Sequence, residues 1–396
     1  MTQNSAAIAP SEADTGREAA RLLGLDLARG LAVFGMYTAH LARDPGDGVR
    51  WSWLIELSHG RSSALFAVLA GVTLVFLTGR QGLGTGREGL RSVVRVAIRS
   101  GVLLVLGTLL TLMGTPIAVI LPYFALYFLL ALPFARLRAR TLAAVAVATA
   151  AVGPQYLFAL RQSAYGPYGE YTGWAETMDE HDPLARLGAD GALDLLVTGN
   201  YPVLAWMPLI FAGMALGRLD LASAVVRARL LVIGPALAAL GYGGSWLAFR
   251  LVPSVVETTG APSAWWSDAE IGIPGSDPVW LLIAAPHTET SFAVVGNAGV
   301  AVLVIAAALV ALDRWPALTR AGTPVILVGS MSLSAYVGHL LAIEAFGLDE
   351  LDRPLSVPLA FMVVAGALAW LWRRYVGRRG PLEEAMHALT RATPLK

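Results

Sequence analysis

An all-α, polytopic membrane protein of about ten transmembrane helices, with both ends on the cytoplasmic face, is the fold class this sequence predicts. Three observations carry that expectation. The 396-residue chain is 56% hydrophobic and only 14% charged, whereas a soluble domain carries about a quarter charged residues. Apolar runs long enough to cross a bilayer recur with short gaps between them. The arginines are distributed unevenly among those gaps, and basic residues mark cytoplasmic loops.

In chain order the spans fall near 25–42, 62–79, 92–113, 116–134 and 141–160. After a long polar stretch they resume near 202–219, 230–251, 291–312, 323–346 and 355–372. The eighth is the least sharply bounded, because 279–285 also reads as a short re-entrant piece. With the N-terminus inside, cytoplasmic segments and the span ends next to them hold 21 Lys/Arg, outer segments and their span ends 7, and Arg29 lies within the first span; the opposite orientation reverses the bias. Residues 1–20 are small and polar, without a basic start before an apolar core, so they read as a disordered cytosolic tail and not a cleaved signal. Residues 21–375 make the membrane domain and 376–396 a cytosolic C-terminal tail. External loops 161–201 and 252–290 are of a length that is functional or disordered, and 183–197 within the first has a surface-helix pattern.

Composition also excludes. There is no cysteine, which removes disulfides, thiolate metal sites and a Cys nucleophile. The net charge is +1 and the arginines form no basic face, so no nucleic-acid partner is expected. The histidines lie on separate segments without a paired ligand spacing, so no metal is expected either.

The first span holds the strongest signal, in the run from Arg21 to His40 with Asp26, Arg29, Gly30, Gly35 and Tyr37. Ionisable residues inside a span are costly and point to function. Arg29 and His40 are eleven residues apart, three turns plus about 20°, so they share one face about 16 Å apart along the axis. Asp26, three residues before Arg29, is placed to pair with it. Two plainer readings stay open: a charge pair at the membrane entry, and a histidine at the outer headgroup level. Gly30 and Gly35 suit close helix packing.

The run GLDLARGLAVFGMYTAH, followed by HGRSSALFAVLAGVTLVFLTGR, resembles the YeiB-type bacterial membrane proteins, relatives of the heparan-alpha-glucosaminide N-acetyltransferases. GNYPVLAWMPLIFAGMALGRL, GSMSLSAYVGHLL and the terminal RRGPLEEAMHALT resemble that group too, so the likeness runs from about Arg21 to Thr390. The wider superfamily includes the acyltransferase-3 proteins, marked by an Arg and a His with ten residues between them on the first span; Arg29 and His40 match that spacing. The resemblance implies a plasma-membrane acyltransferase in which His40 is catalytic and Arg29 supports it, with Asp26 beside it.

Acetyl-CoA is then the expected acyl donor, and an amine or hydroxyl of an extracytoplasmic or membrane-associated carbohydrate the acceptor. Imidazole suits the base that activates such an acceptor near neutral pH; a direct transfer and an acyl-histidine path both fit. Arg91, Arg95 and Arg99 recur at i+4 as a stripe that could hold donor phosphates with Arg29, or reflect the positive-inside rule alone. Ser332, Tyr336 and His339 share a polar face that could line a cavity with His40 or bond helix to helix. His287, with Glu289 beside it, is a second acid–base candidate or an exposed loop residue. Ser62 and Ser63, after His59 and Arg61, are candidates for substrate binding or for capping a helix. Tyr165, Tyr168, Trp174, Trp265 and Trp266 suit either sugar stacking or an interfacial belt. Membrane lipid is an expected partner, and a homodimer stays open. The competing function is a proton-coupled transporter or exporter of a small solute, which also uses intramembrane Asp, Arg and His; a purely structural subunit leaves them without a task.

Overall fold

The computed structural model describes residues 12–42, 52–80, 82–166, 169–259, 277–348 and 354–391. They are overwhelmingly helical; no strand occurs among them, only an isolated bridge between Tyr165 and Tyr171. The helices are α1 (Glu12–Leu41), α2 (Ser52–Ser58), α3 (Arg61–Thr78), α4 (Gly86–Leu112), α5 (Leu121–Ala131), α6 (Ala139–Ala164), α7 (Trp174–His181) and α8 (Val203–Arg218). They continue as α9 (Ala224–Leu251), α10 (Ser254–Thr259), α11 (Ser291–Arg314), α12 (Pro316–Ala321), α13 (Thr323–Ser330), α14 (Ser332–Phe346), α15 (Ser356–Tyr375) and α16 (Pro381–Arg391).

Six stretches among the described residues are long and apolar enough to cross a membrane: Ile55–Thr78, α4, α6, α9, α11 and α15. A seventh is added if α13 and α14, bent by 90° at their junction, count as one. Two expected spans are short. α5 stops at Ala131, and Pro133 carries the chain on as the 3₁₀ turn Leu132–Arg136, since an interior proline removes a helical hydrogen bond. α8 has 16 residues, about 24 Å, less than the hydrocarbon core of a bilayer. The span expected over 323–346 is broken at Met331.

Other boundaries also differ. α1 begins at Glu12, so the tail expected over 1–20 is helical from there. The surface helix expected over 183–197 is instead a 3₁₀ turn at Ala185–Leu187 and a π turn at Asp194–Thr198, separated by Gly188 in the left-handed region. Within 279–285 the chain makes only the 3₁₀ turn Pro278–Leu282. Tyr168, Trp265 and Trp266 lie outside the described residues.

α3 is apolar on every face and buried almost throughout, which makes it the core of the bundle. It packs on α8, α1 and α11, while α9 packs on α11 and α13 on α1. Close approach sets these pairs. A side chain at Gly71 of α3 or Gly213 of α8 would overlap backbone of the other helix, and one at Gly329 of α13 would overlap the Asp26 carbonyl. Small residues let membrane helices approach this way. α4, α9 and α15 instead turn Val105, Leu109, Val232, Leu240, Val363 and Leu368 outward, an apolar perimeter suited to lipid.

Candidate active site

α1 divides the candidate residues between two places. Near its middle Asp26 and Arg29 pair, with Oδ1 and Nη1 2.7 Å apart. The second guanidinium nitrogen donates to Thr73 Oγ1 of α3 at 3.0 Å. The pair is therefore tied into the bundle core.

Arg29 and Thr73 also line a cavity of about 230 Å³. Its apolar wall includes Phe66, Leu103, Phe124 and Met386, and its polar part is Arg29, Arg99, Ser330, Ser332 and Glu383. The cavity thus opens at the break between α13 and α14. Of the expected arginine stripe, Arg99 reaches it and is half-buried, while Arg91 and Arg95 stay exposed on α4.

Eleven residues further along α1, half-buried His40 meets buried His339 of α14. His40 Nδ1 and His339 Nε2 are 3.0 Å apart, and the rings are nearly parallel with centroids 5.3 Å apart. Tyr37, one turn before His40, packs its ring on His339 and donates its hydroxyl to the Ala335 carbonyl at 2.9 Å. The two histidines, 299 residues apart in the chain, are thus held by two contacts between the same helices. His40 is not among the residues lining the cavity at Arg29. His59 and His287 lie within electrostatic reach of His40. Among the described residues no group of three or more His, Asp or Glu is placed to hold a metal ion.

The expected substrate-binding residues have protein partners. Tyr336 Oη accepts from the Ile120 amide at 3.2 Å, at the start of α5. Ser62 packs against Gly35 of α1, and Ser63 hydrogen-bonds Tyr201. Glu289 pairs with Arg161 Nη2 at 2.8 Å. Burial outweighs that cation and pushes the Glu289 carboxyl up to about 7. His287 is solvent-exposed and sets its ring edge-on to Tyr201 at 6.2 Å. Both His287 and Glu289 have φ of 58°, a left-handed conformation that non-glycine residues adopt where surrounding contacts over-determine it.

Four participants escaped the sequence reading. Thr73 is a small polar residue in an apolar span, with no charge or spacing to mark it. Arg161 read as a loop arginine, yet α6 runs on to Ala164 and its side chain also donates to the Val197 and Gly199 carbonyls at 2.8 and 3.0 Å. Arg61 is buried, donating to Tyr242 Oη at 3.1 Å and facing the Glu56 carboxylate at 3.9 Å. Glu383 lay in what read as a tail. The RRGPLEE run was the available signal for it.

Fold and site together define a helical membrane protein with an acid–arginine pair and a histidine pair held inside its bundle. A family model, described as the catalytic domain of heparan-alpha-glucosaminide N-acetyltransferase, matches residues 21–244. That is more than half of the chain, and the chain belongs to this family. The match spans Asp26, Arg29, His40 and Arg99 and ends before His339 and Glu383. No curated protein matches the chain significantly.

Proposed function

We propose that the protein is a transmembrane acetyltransferase that moves an acetyl group from cytosolic acetyl-CoA to an amine or hydroxyl of an extracytoplasmic or membrane-associated carbohydrate. The observation that carries this reading is the His40–His339 contact, placed about three turns along α1 from a cavity with two guanidiniums. Family membership supports the reaction class. The likeness to YeiB-type proteins favours a bacterial plasma membrane. The arginine bias supports an N-in arrangement of ten passes, with α1, α5, α8 and the bent α13–α14 pair added to the six long spans.

In this reading Arg29 and Arg99 face the anionic part of the donor from the cavity wall, with Arg91 and Arg95 attracting it at the entrance. Acetyl-CoA supplies the thioester. One proton is shared between His40 Nδ1 and His339 Nε2, so one ring donates and the other accepts. With His40 as the donor, its Nε2 keeps a lone pair for the acceptor's proton. The acceptor oxygen or nitrogen bonds to the acetyl carbon, the C–S bond breaks, and the departing thiolate takes the proton from the His40 imidazolium. An acyl-histidine path divides the same bond changes into two steps. Asp26 holds Arg29, while His287, Glu289, Ser62, Ser63 and Tyr336 shape the outer side where the acceptor arrives.

Purified protein in nanodiscs, given acetyl-CoA and amino sugars, should release CoA. His40→Ala should lower that release by roughly 100-fold or more without changing the elution profile. Full release by the variant removes His40 from the chemistry. The 90° break between α13 and α14 favours a second reading, because broken helices mark transporter sites. Solute flux that survives His40→Ala, with no CoA released by the parent protein, would establish transport instead.

A further inference from the structure

The C-terminal helix does more than end the chain. α15 leads through residues 376–380 into α16, and Trp372 Nε1 donates to the Arg379 carbonyl at 2.6 Å, fixing that turn. At the first turn of α16, Glu383 Oε1 accepts from the backbone amides of Leu333 and Ser334 at 2.8 and 3.1 Å. These are free N–H groups at the start of α14, which an intact span would have bonded internally. Ser334 Oγ donates to the other Glu383 oxygen and accepts from the Leu382 amide at 3.0 Å. Each helix start is therefore capped by a side chain of the other.

Gly380 leaves room for this exchange. A side chain there would overlap Glu383 Oε2 and stand 2.7 Å from Ser334 Oγ and 3.0 Å from Met331 Cβ. Pro381 opens α16, where its missing N–H costs nothing. The residues Gly380, Pro381, Leu382 and Glu383 thus each have a physical task at one junction.

α14 is the helix that carries His339 to His40, and it begins at the break that opens the cavity. We propose that Glu383 is a positioning residue for the histidine pair: it anchors the start of α14, so that Ala335 meets Tyr37 and His339 meets His40. This rests on the acetyltransferase reading for its kinetic part, but not for its structural part. A carboxylate accepting two amides of a helix start is a charge-assisted cap, and the anchor sits six residues, under two turns, from His339.

The test uses the full chain in nanodiscs with three variants, Glu383→Ala, Glu383→Gln and Ser334→Ala. Glu383→Ala should lower kcat for CoA release roughly tenfold while the KM for acetyl-CoA changes less than about threefold. Glu383→Gln keeps an oxygen for both amides and should restore most of kcat. Hydrogen exchange gives a readout independent of activity: the first two turns of α14 should exchange faster in Glu383→Ala and Ser334→Ala and at the parent rate in Glu383→Gln. A raised KM with unchanged kcat overturns the proposal, placing Glu383 in donor binding. Unchanged α14 exchange in Glu383→Ala also overturns it. If the parent protein releases no CoA, the acetyltransferase reading fails and the exchange data still decide the role of Glu383.

Discussion

At Glu289 burial and a cation pull in opposite directions. The side chain is almost fully enclosed beside Arg161, and burial wins, setting its carboxyl at about 7 against an ordinary 4.5. Between about pH 4.5 and 7 the folded protein holds a proton that the unfolded chain has lost, so stability falls as pH rises through that window. The whole effect is on the order of 3 kcal/mol. Glu289→Gln has no proton to lose at this position. The melting temperature of the parent protein should therefore drop more between pH 5 and pH 8 than that of Glu289→Gln. Neighbouring His287 is common to both chains and cancels in the difference. Parallel melting curves would show that Arg161 fully compensates the buried charge. The sequence showed part of this scale. Asp26 and Arg29 were legible as a pair because three residues on a helix bring them together. His40 and His339 were each legible as polar intruders in a span, but nothing local to either residue says that the first and ninth spans are neighbours.

Helix pairing at the element scale is written in small residues. Gly213 of α8 faces the Val68 carbonyl and Gly71 of α3, and a methyl group there would overlap backbone that cannot step aside. Gly243 of α9 has nothing within 4 Å of the place a side chain would take. Both lie inside helices, where alanine is favoured over glycine by about 1 kcal/mol. Gly213→Ala should nevertheless destabilise, since overpacking a tight contact costs about 1–3 kcal/mol, while Gly243→Ala should leave the melting temperature unchanged or higher. Thermal scans in one detergent check the pair; equal behaviour would mean that α3 and α8 can separate without loss. Hydropathy located these apolar elements but missed how they end. Pro133 converts the close of α5 into a 3₁₀ turn, and the serines at 330, 332 and 334 accompany the break after α13. That break is stabilised by Glu383, about fifty residues away in the chain, so no window along the sequence contains its cause.

The arrangement of the whole molecule makes one demand on the bilayer. If acetyl-CoA arrives from the cytosol, the cavity with Arg29, Arg99 and Glu383 must face that side, and the loop bearing Leu187 must face the other. Arginine placement argues for this orientation, since an inside N-terminus would give the cytoplasmic segments three times the Lys/Arg of the outer ones. The exposed side chains at the two ends supply a direct measurement. Leu187 lies 65% exposed between α7 and α8, and Val376 lies 65% exposed after α15. The chain contains no cysteine, so a single introduced thiol is the only one to react. In intact cells Leu187→Cys should be labelled by a membrane-impermeant maleimide, and Val376→Cys only after permeabilisation. Both positions lie outside the α-helices, and both side chains are mostly exposed, so a smaller side chain removes little packing. The reverse labelling pattern would put the guanidinium cavity on the side away from the cytosolic donor. The histidine pair would then need an acyl source outside the cell.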